Sequence, residues 1–248
     1  MDRLIYISMT GAQQLLQQQA VAAHNLANTS TTGYKAETAA FRAAPVVGPG
    51  LPTRAYAIDS TTGADFAAGT IQSTGRDLDV AVEGEGLVAV QGFDGIESYT
   101  RNGSFGIGAE GQLQTRSGLL VLGEGGPISI PQDAKLAIGR DGTVSATING
   151  QSAAQVQVVG KIKLVNPPKS DLTRGPDGLF RTRDGAPADA DPSVALVGGA
   201  LEASNVNAVA AMVDMINLAR QFDMHMKMLQ NAEQNAQRAT QLLQSGPQ

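Results

Sequence analysis

The residues able to carry chemistry are few and widely separated. The chain has two histidines, His24 and His225, and no cysteine. Zinc needs three or four convergent ligands, and one histidine in each terminal region does not supply them. The absence of cysteine excludes disulfides, thiolate metal sites and a cysteine nucleophile. Asp77 and Asp79 flank Leu78 and could pair as acid and base. At the start of a strand they are expected to face solvent or cap a turn, and no acid/base partner is visible. Asp189 and Asp191 stand in a Pro-rich loop without calcium-site spacing. Gly106-Ile-Gly-Ala-Glu-Gly111 matches G-x-G-x-x-G in form. That fingerprint must close a strand and open a helix whose N-terminus meets pyrophosphate. Here Gln112-Leu-Gln-Thr-Arg116 follows with strand-like alternation, so the reading is a glycine-rich hairpin. No G-x-S-x-G accompanies the serines. Asn28-Thr-Ser30 and Asn102-Gly-Ser104 fit the glycosylation pattern, which short motifs match by chance. No catalytic, cofactor or metal site is readable, and the expectation is a protein that is not an enzyme.

Composition narrows the alternatives. The 248 residues suffice for one large domain or two modest ones, and an apolar content of 42% is adequate for a core, although aromatics reach only 4%. A net charge of −5 argues against nucleic acid, because phosphate binding needs basic patches. The apolar run Leu4–Met9 is too short for a secretion signal and leads into Gln rather than a cleavage site. Nothing approaches the roughly 20 apolar residues of a membrane span. No membrane insertion is expected, and any export must use another route. Zero cysteines fit either a reducing compartment or a protein secreted unfolded.

Proline and glycine show which parts of the chain can be helical. Every Pro but Pro247 lies between Pro45 and Pro192, and every Gly but Gly11, Gly33 and Gly246 lies between Gly48 and Gly199. Both residues are costly inside helices, so the ends are free to be helical and the middle is not. Toward the N-terminus, Ile5, Met9, Ala12, Leu16, Gln19, Ala23 and Leu26 step by four and three, the seam of a left-handed coiled coil. No Asp, Glu, Lys or Arg occurs from Leu4 to Tyr34. A surface helix would carry charges on its outer face; here Gln13, Gln14, Gln17 and Gln18 stand there. A Gln-rich solvated helix is one reading, and a helix enclosed by other helices is the favoured one. Toward the C-terminus, Met212, Met215, Ala219, Phe222, Met226, Leu229, Glu233 and Ala236 repeat the pattern, with Ser204 or Asn205 as the N-cap. A Met stripe is more often packing material than a cofactor site.

The middle reads as β. Asp77–Val82 and Gly86–Val90 are short apolar runs bounded by Gly. Asp94-Gly95, Asn102-Gly103, Asp141-Gly142 and Asn149-Gly150 suit hairpin turns. The expected fold is α+β: an all-β module of Gly-rich hairpins flanked by N- and C-terminal helices that pair as an antiparallel coiled coil. Its expected divisions are a discontinuous helical core from 1–35 and 200–248, a linker over 36–52, and a β-rich domain over 53–199. Asn28 to Gly33 stops the first helix, with Gly33 in the left-handed conformation common at such ends. The β module, lying beyond that corner, is expected to keep its melting temperature when Gly33 is changed. Stacked copies in a contact that does not close would give a helical filament.

Several stretches carry a resemblance. Asn25-Leu26-Ala27-Asn28, followed by Thr32-Gly33-Tyr34-Lys35, resembles the signature of bacterial flagellar rod and hook proteins. Leu201-Glu-Ala-Ser204-Asn205-Val206 is similar to their second signature. Between them, Thr74–Gly86, Tyr99–Phe105 and Ile138–Gly142 are similar to the family's central β segments, in the family's order. The opening Met1–Tyr6 and the modest length look most like the proximal rod member, with the distal rod subunit as the alternative.

The resemblance implies a structural subunit of the basal-body rod, without cofactor. It would be exported unfolded through the flagellar type III apparatus and assembled in the periplasmic space. Its partners would be the inner and distal rod subunits and copies of itself. The expected assembly interface is Ile5, Met9, Leu16, Ala23, Leu26, Met212, Met215, Phe222, Met226 and Leu229. From a different class, a β-rich binding or adhesin module would explain the middle but leave the helical ends idle. An enzyme would need convergent polar groups.

Overall fold

The computed structural model describes residues 2–45, 55–131, 134–148 and 156–244. The side chain of Ile5, the Asn149-Gly150 turn and the expected linker beyond Pro45 lie outside the described residues. The fold is α+β, and the chain divides into two compact units. One holds Met1–Ala27, Glu37–Asp65 and Asn207–Gln248, the other Asn28–Ala36 and Phe66–Val206.

The first unit is built on helices α1 (Asp2–Ala27) and α2 (Ala208–Gln244), which pack against each other. Neither contains proline, and Gly11 is the single glycine within them. Gly11 faces α2: a Cβ there would stand 3.0 Å from Cε1 of His225. The buried face of α1 runs through Ser8, Ala12, Leu15 and Ala22. On α2, Ala211 is buried and Met215, Leu218, Phe222, His225 and Leu229 are partly buried.

Those residues depart from the expected seams by one column on each helix. Ala12, Met215, Phe222 and Leu229 face inward. Met9, Leu16, Ala23, Met212 and Met226 are exposed, and Leu26 is partly buried. The inward columns are instead Ser8, Leu15 and Ala22 on α1 and Ala211, Leu218 and His225 on α2. The reason is size. The distance between packed helices follows the side chains at their contact, and the α1 face with Gly11, Ala12 and Ala22 lets α2 approach with the larger Met215 and Phe222 turned toward it.

The stretch expected to be a linker departs as well. Residues Glu37–Pro45 form strand β1, which pairs antiparallel with β2 (Ala55–Ala64), with an irregularity between Ala40 and Phe41. The alanine-rich β1 lacks a large-residue alternation, so its sequence signal is weak. Backbone pairing along the hairpin and packing of both strands on α1 hold it. The divisions shift accordingly, with the hairpin joining the helices and residues 28–36 and 200–206 joining the β unit.

In the β unit the chain forms β3 (Ile71–Ser73), β4 (Val80–Glu83), β5 (Leu87–Gln91), β6 (Glu97–Thr100) and β7 (Phe105–Ile107). It continues through β8 (Leu113–Thr115), β9 (Leu120–Gly123), β10 (Gly126–Pro127), β11 (Ala134–Ile138), β12 (Thr143–Ile148) and β13 (Val156–Lys161). The last strands are β14 (Leu164–Val165), β15 (Leu172–Arg174), β16 (Phe180–Thr182), β17 (Ala195–Gly198) and β18 (Ala200–Glu202).

The largest sheet runs β15–β16–β6–β5–β9–β8–β7, with β10 on β9 and β14 on β5. Strands β11–β12–β13 form a meander, while β17 pairs β4 and β18 pairs β3. The core between them is mainly aliphatic, from Val80, Val82, Val88, Val90, Leu113, Val121, Val144, Ile162 and Leu196, with Phe105 among them.

Gly95 and Gly142 take positive φ in the β5–β6 and β11–β12 turns. The glycine-rich run from Gly106 is the β7–β8 hairpin, closed by Gly111 N–H donating to the Gly108 carbonyl at 3.0 Å. Asn102-Gly103 does not make a hairpin, because β6 and β7 are not neighbours in the sheet. Gly103 is needed for closeness instead: a Cβ there would lie 1.9 Å from the Val80 carbonyl oxygen. Asp79, expected at the surface, is buried beside Ser104 and Arg76.

Candidate functional site at the signature segments

In the β unit the first signature segment begins at Asn28. Thr31 donates its backbone N–H to the Asn28 carbonyl at 3.2 Å, and Tyr34 does the same to Thr31 at 3.2 Å, so the chain turns tightly. Gly33 sits at φ +68° and donates its N–H to the Glu202 carbonyl at 2.7 Å. A Cβ on Gly33 would lie 2.4 Å from the Arg101 carbonyl carbon, so this corner is packed into the β unit. Tyr34 is buried, with the Arg174 guanidinium 4.4 Å over its ring, a cation–π arrangement. Arg174 also donates to the Lys35 carbonyl at 2.8 Å.

Charge collects at the end of this segment. Lys35 and Glu202 are each 1% exposed, and Arg101 is buried beside them. Lys35 Nζ donates to Glu202 Oε1 at 2.6 Å and to the Ala67 carbonyl at 2.8 Å. Glu202 Oε1 also accepts the Gly69 N–H at 2.8 Å, and its Oε2 lies 3.4 Å from Arg101 Nη1. Arg101 donates to the Val82 carbonyl at 3.0 Å and to the Gly84 carbonyl. Burial lowers the Arg101 pKa, while the charge of Glu202 works in the opposite direction.

The second signature meets the first on the backbone. Asn205 Oδ1 accepts the Ala36 N–H at 2.7 Å, and Asn205 Nδ2 donates to the Ala67 carbonyl at 3.2 Å. Ser204 Oγ accepts the Val206 N–H at 3.2 Å, a local turn rather than a helix cap. The N-cap of α2 is Asn207, whose Oδ1 accepts from Val209 at 3.0 Å and Ala210 at 3.1 Å.

In the helical unit, Asn25 pairs with the backbone of Glu37 in both directions. It donates to the carbonyl at 2.9 Å and accepts the N–H at 2.8 Å, so its amide stands in for a strand neighbour. His24 Nδ1 lies 3.1 Å from the Glu37 carboxylate. Leu26, Asn28, Thr32 and Val206 are partly buried, and Ala27 is exposed.

The signature residues therefore act on their own chain. Gly33, Tyr34, Lys35 and Asn205 converge with three residues that sequence reasoning did not single out: Arg101, Glu202 and Ala67. For Arg101 and Glu202 the available signal was a charged residue inside an otherwise neutral matched segment, and for Ala67 there was none. The residues gathered here bond chiefly to one another and to neighbouring backbone, which suits holding rather than turnover.

Comparison with known proteins gives this architecture its family. The profile of the flagella basal body rod protein family matches residues 5–35. That of the flagellar hook protein FlgE/F/G D1 domain matches 81–146, and that of the flagellar basal body rod FlgEFG protein C-terminal region matches 197–242. The chain is 50% identical to the flagellar basal-body rod protein FlgF of Escherichia coli K12, over 98% of this chain and 99% of that one. The chain belongs to the flagellar basal-body rod proteins. Identity to FlgF of Salmonella typhimurium is 47%, with 98% and 99% covered. FlgG of Buchnera aphidicola from Schizaphis graminum is 33% identical, with 96% and 98% covered. As a rod protein the chain is a structural subunit, not an enzyme, and the first and last profile matches contain both signature segments.

Proposed function

We propose that this rod protein occupies the proximal rod and polymerises through its terminal helices, paired as an antiparallel coiled coil, into the axial shaft. Its neighbours would be inner and distal rod subunits and copies of itself. It would reach the periplasmic space unfolded, through the type III flagellar export apparatus. Identities of 50% and 47% to FlgF, against 33% to a FlgG, favour the proximal position over the distal one.

The observation that carries the polymerisation is what the paired helices leave uncovered. Met9 and Leu16 on α1, and Met212, Ile216, Met224, Met226 and Met228 on α2, are exposed in the isolated chain. Rows of large exposed apolar side chains mark contact surfaces, and Met suits surfaces that repack against more than one neighbour. The expected interface thus separates into two groups. Met215, Phe222 and Leu229 serve pairing within the chain, while Met9, Leu16, Ala23, Met212 and Met226 are available to other subunits.

Ile216→Asp tests the reading. Ile216 is 54% exposed, so the isolated variant should melt within about 0.5 kcal/mol of the parent. Basal bodies from cells carrying it should lack complete rods by electron microscopy. Normal rods would remove the helices from the assembly surface.

A further inference from the structure

The buried charges of the signature segments point to a role that family membership does not specify. Lys35 and Glu202 are each 1% exposed, so neither can touch a neighbouring subunit without opening the β unit. Their partners lie within the chain and far along it. The Lys35–Glu202 bond spans 167 residues, and the Glu202–Gly69 bond spans 133. One carboxylate faces two cations, Lys35 and Arg101. One carbonyl, that of Ala67, takes hydrogen bonds from both Lys35 and Asn205. Three stretches that are remote in sequence, 33–36, 67–69 and 202–205, are thereby tied at a single point.

We propose that Glu202 is the charge-bearing keystone of an intrachain latch, closed when residues 200–206 dock. The buried part of both signatures encodes this latch rather than a surface read by other subunits. Removing one member of a buried ionic group leaves its partner uncompensated, which is far more harmful than removing both. With two cations on one anion, the members are unequal. Loss of Lys35 leaves an Arg101–Glu202 pair, whereas loss of Glu202 takes from both buried cations the carboxylate they face at 2.6 and 3.4 Å.

The latch therefore predicts a reversal within a double-mutant cycle: Lys35→Met should improve a chain that already carries Glu202→Met. The measurement is amide hydrogen exchange on the monomeric full-length chain. The reporters are the N–H groups of Gly33, Ala36 and Gly69, which are bound to the Glu202 carbonyl, Asn205 and the Glu202 carboxylate. Ala89, bonded to the Lys163 carbonyl within the sheet, is the reference. Glu202→Met should speed exchange at the three reporters about 100-fold or more relative to Ala89. Adding Lys35→Met should recover about tenfold.

If Glu202→Met does not fold, Glu202→Gln replaces it in the same cycle, keeping an acceptor for Gly69 while removing the charge. A double variant that exchanges as fast as the single, or faster, overturns the latch. So does a Glu202 variant whose monomer exchanges like the parent while its rods fail, because that places the residue in a subunit contact. The readout is monomeric, so the latch can fail without touching the rod assignment, and the reverse also holds.

Discussion

At position 33 there is no room for a Cβ. Gly33 combines φ +68° with backbone atoms of Arg101 and Asn102 within 2.6 Å of where that carbon would stand. Gly75 has the same φ of +68° with nothing within 4 Å. The two glycines separate conformational strain from packing. Gly75→Ala should cost about 1–2 kcal/mol, the strain of the left-handed region. Gly33→Ala should cost clearly more, and Gly33→Val more again, read as a lower calorimetric melting temperature of the β unit. Equal losses at positions 33 and 75 would show that the Arg101 backbone yields, and the packing account would fail. The left-handed glycine was legible in the sequence, because a polar cluster closing a helix calls for it. Its cost to the β unit was not. A corner that only redirected the chain would leave that unit's melting untouched, but the contact with Arg101 joins residues remote in sequence. Glu202 was hidden for the same reason: a lone Glu in a short strand looks solvated until Lys35 arrives from the other end of the chain.

Among the elements, the helices were the most legible and their rotation the least. A repeat of seven fixes that a stripe exists, yet Met9, Leu16 and Ala23 share the same period as Ser8, Leu15 and Ala22. Choosing between adjacent columns needs knowledge of what lies opposite. Here the small residues Gly11, Ala12 and Ala22 select the column that a preference for Met would reject. Adjacent leucines make this testable, since Leu15 is 9% exposed and Leu16 49%. Leu15→Asp should cost the helical unit about 2–5 kcal/mol, through lost burial and an unpaired charge. The change should be visible as lost helical circular dichroism on mild heating. Leu16→Asp should stay within about 0.5 kcal/mol of the parent in the isolated chain and yet prevent rod assembly. If the two variants exchanged these phenotypes, the column assignment would be inverted. The hairpin shows the opposite weakness. Its strand β1 carries Phe41 among alanines, so period-two patterning had almost nothing to register, and backbone pairing decides the structure there.

On the scale of the whole molecule, the chain passes between its two units at residues 27/28, 36/37, 65/66 and 206/207, so neither unit is a continuous stretch. The β unit is also closed late. Strand β17 pairs with β4 and β18 with β3, and Leu196 packs into the core with Val80 and Val82. Contacts so distant in sequence form slowly, because loop closure must come before the contacts that reward it. A chain lacking β17 would bury β4 with backbone N–H and C=O groups unpaired, which native structures almost never tolerate. Most of the sequence must therefore be available before the β unit is stable, a property suited to a subunit proposed to travel unfolded. Two truncations separate this dependence from the role of α2. A chain of residues 1–206 keeps every strand and both signatures, so it should retain the cooperative calorimetric transition of the β unit while losing that of the paired helices. A chain of residues 1–194 also lacks β17, β18 and Glu202, and should lose both transitions. If the shorter chain still melted cooperatively, the first strands would be self-sufficient. Closure by the C-terminal strands would then be a late addition to an already stable unit, not the step on which its stability depends.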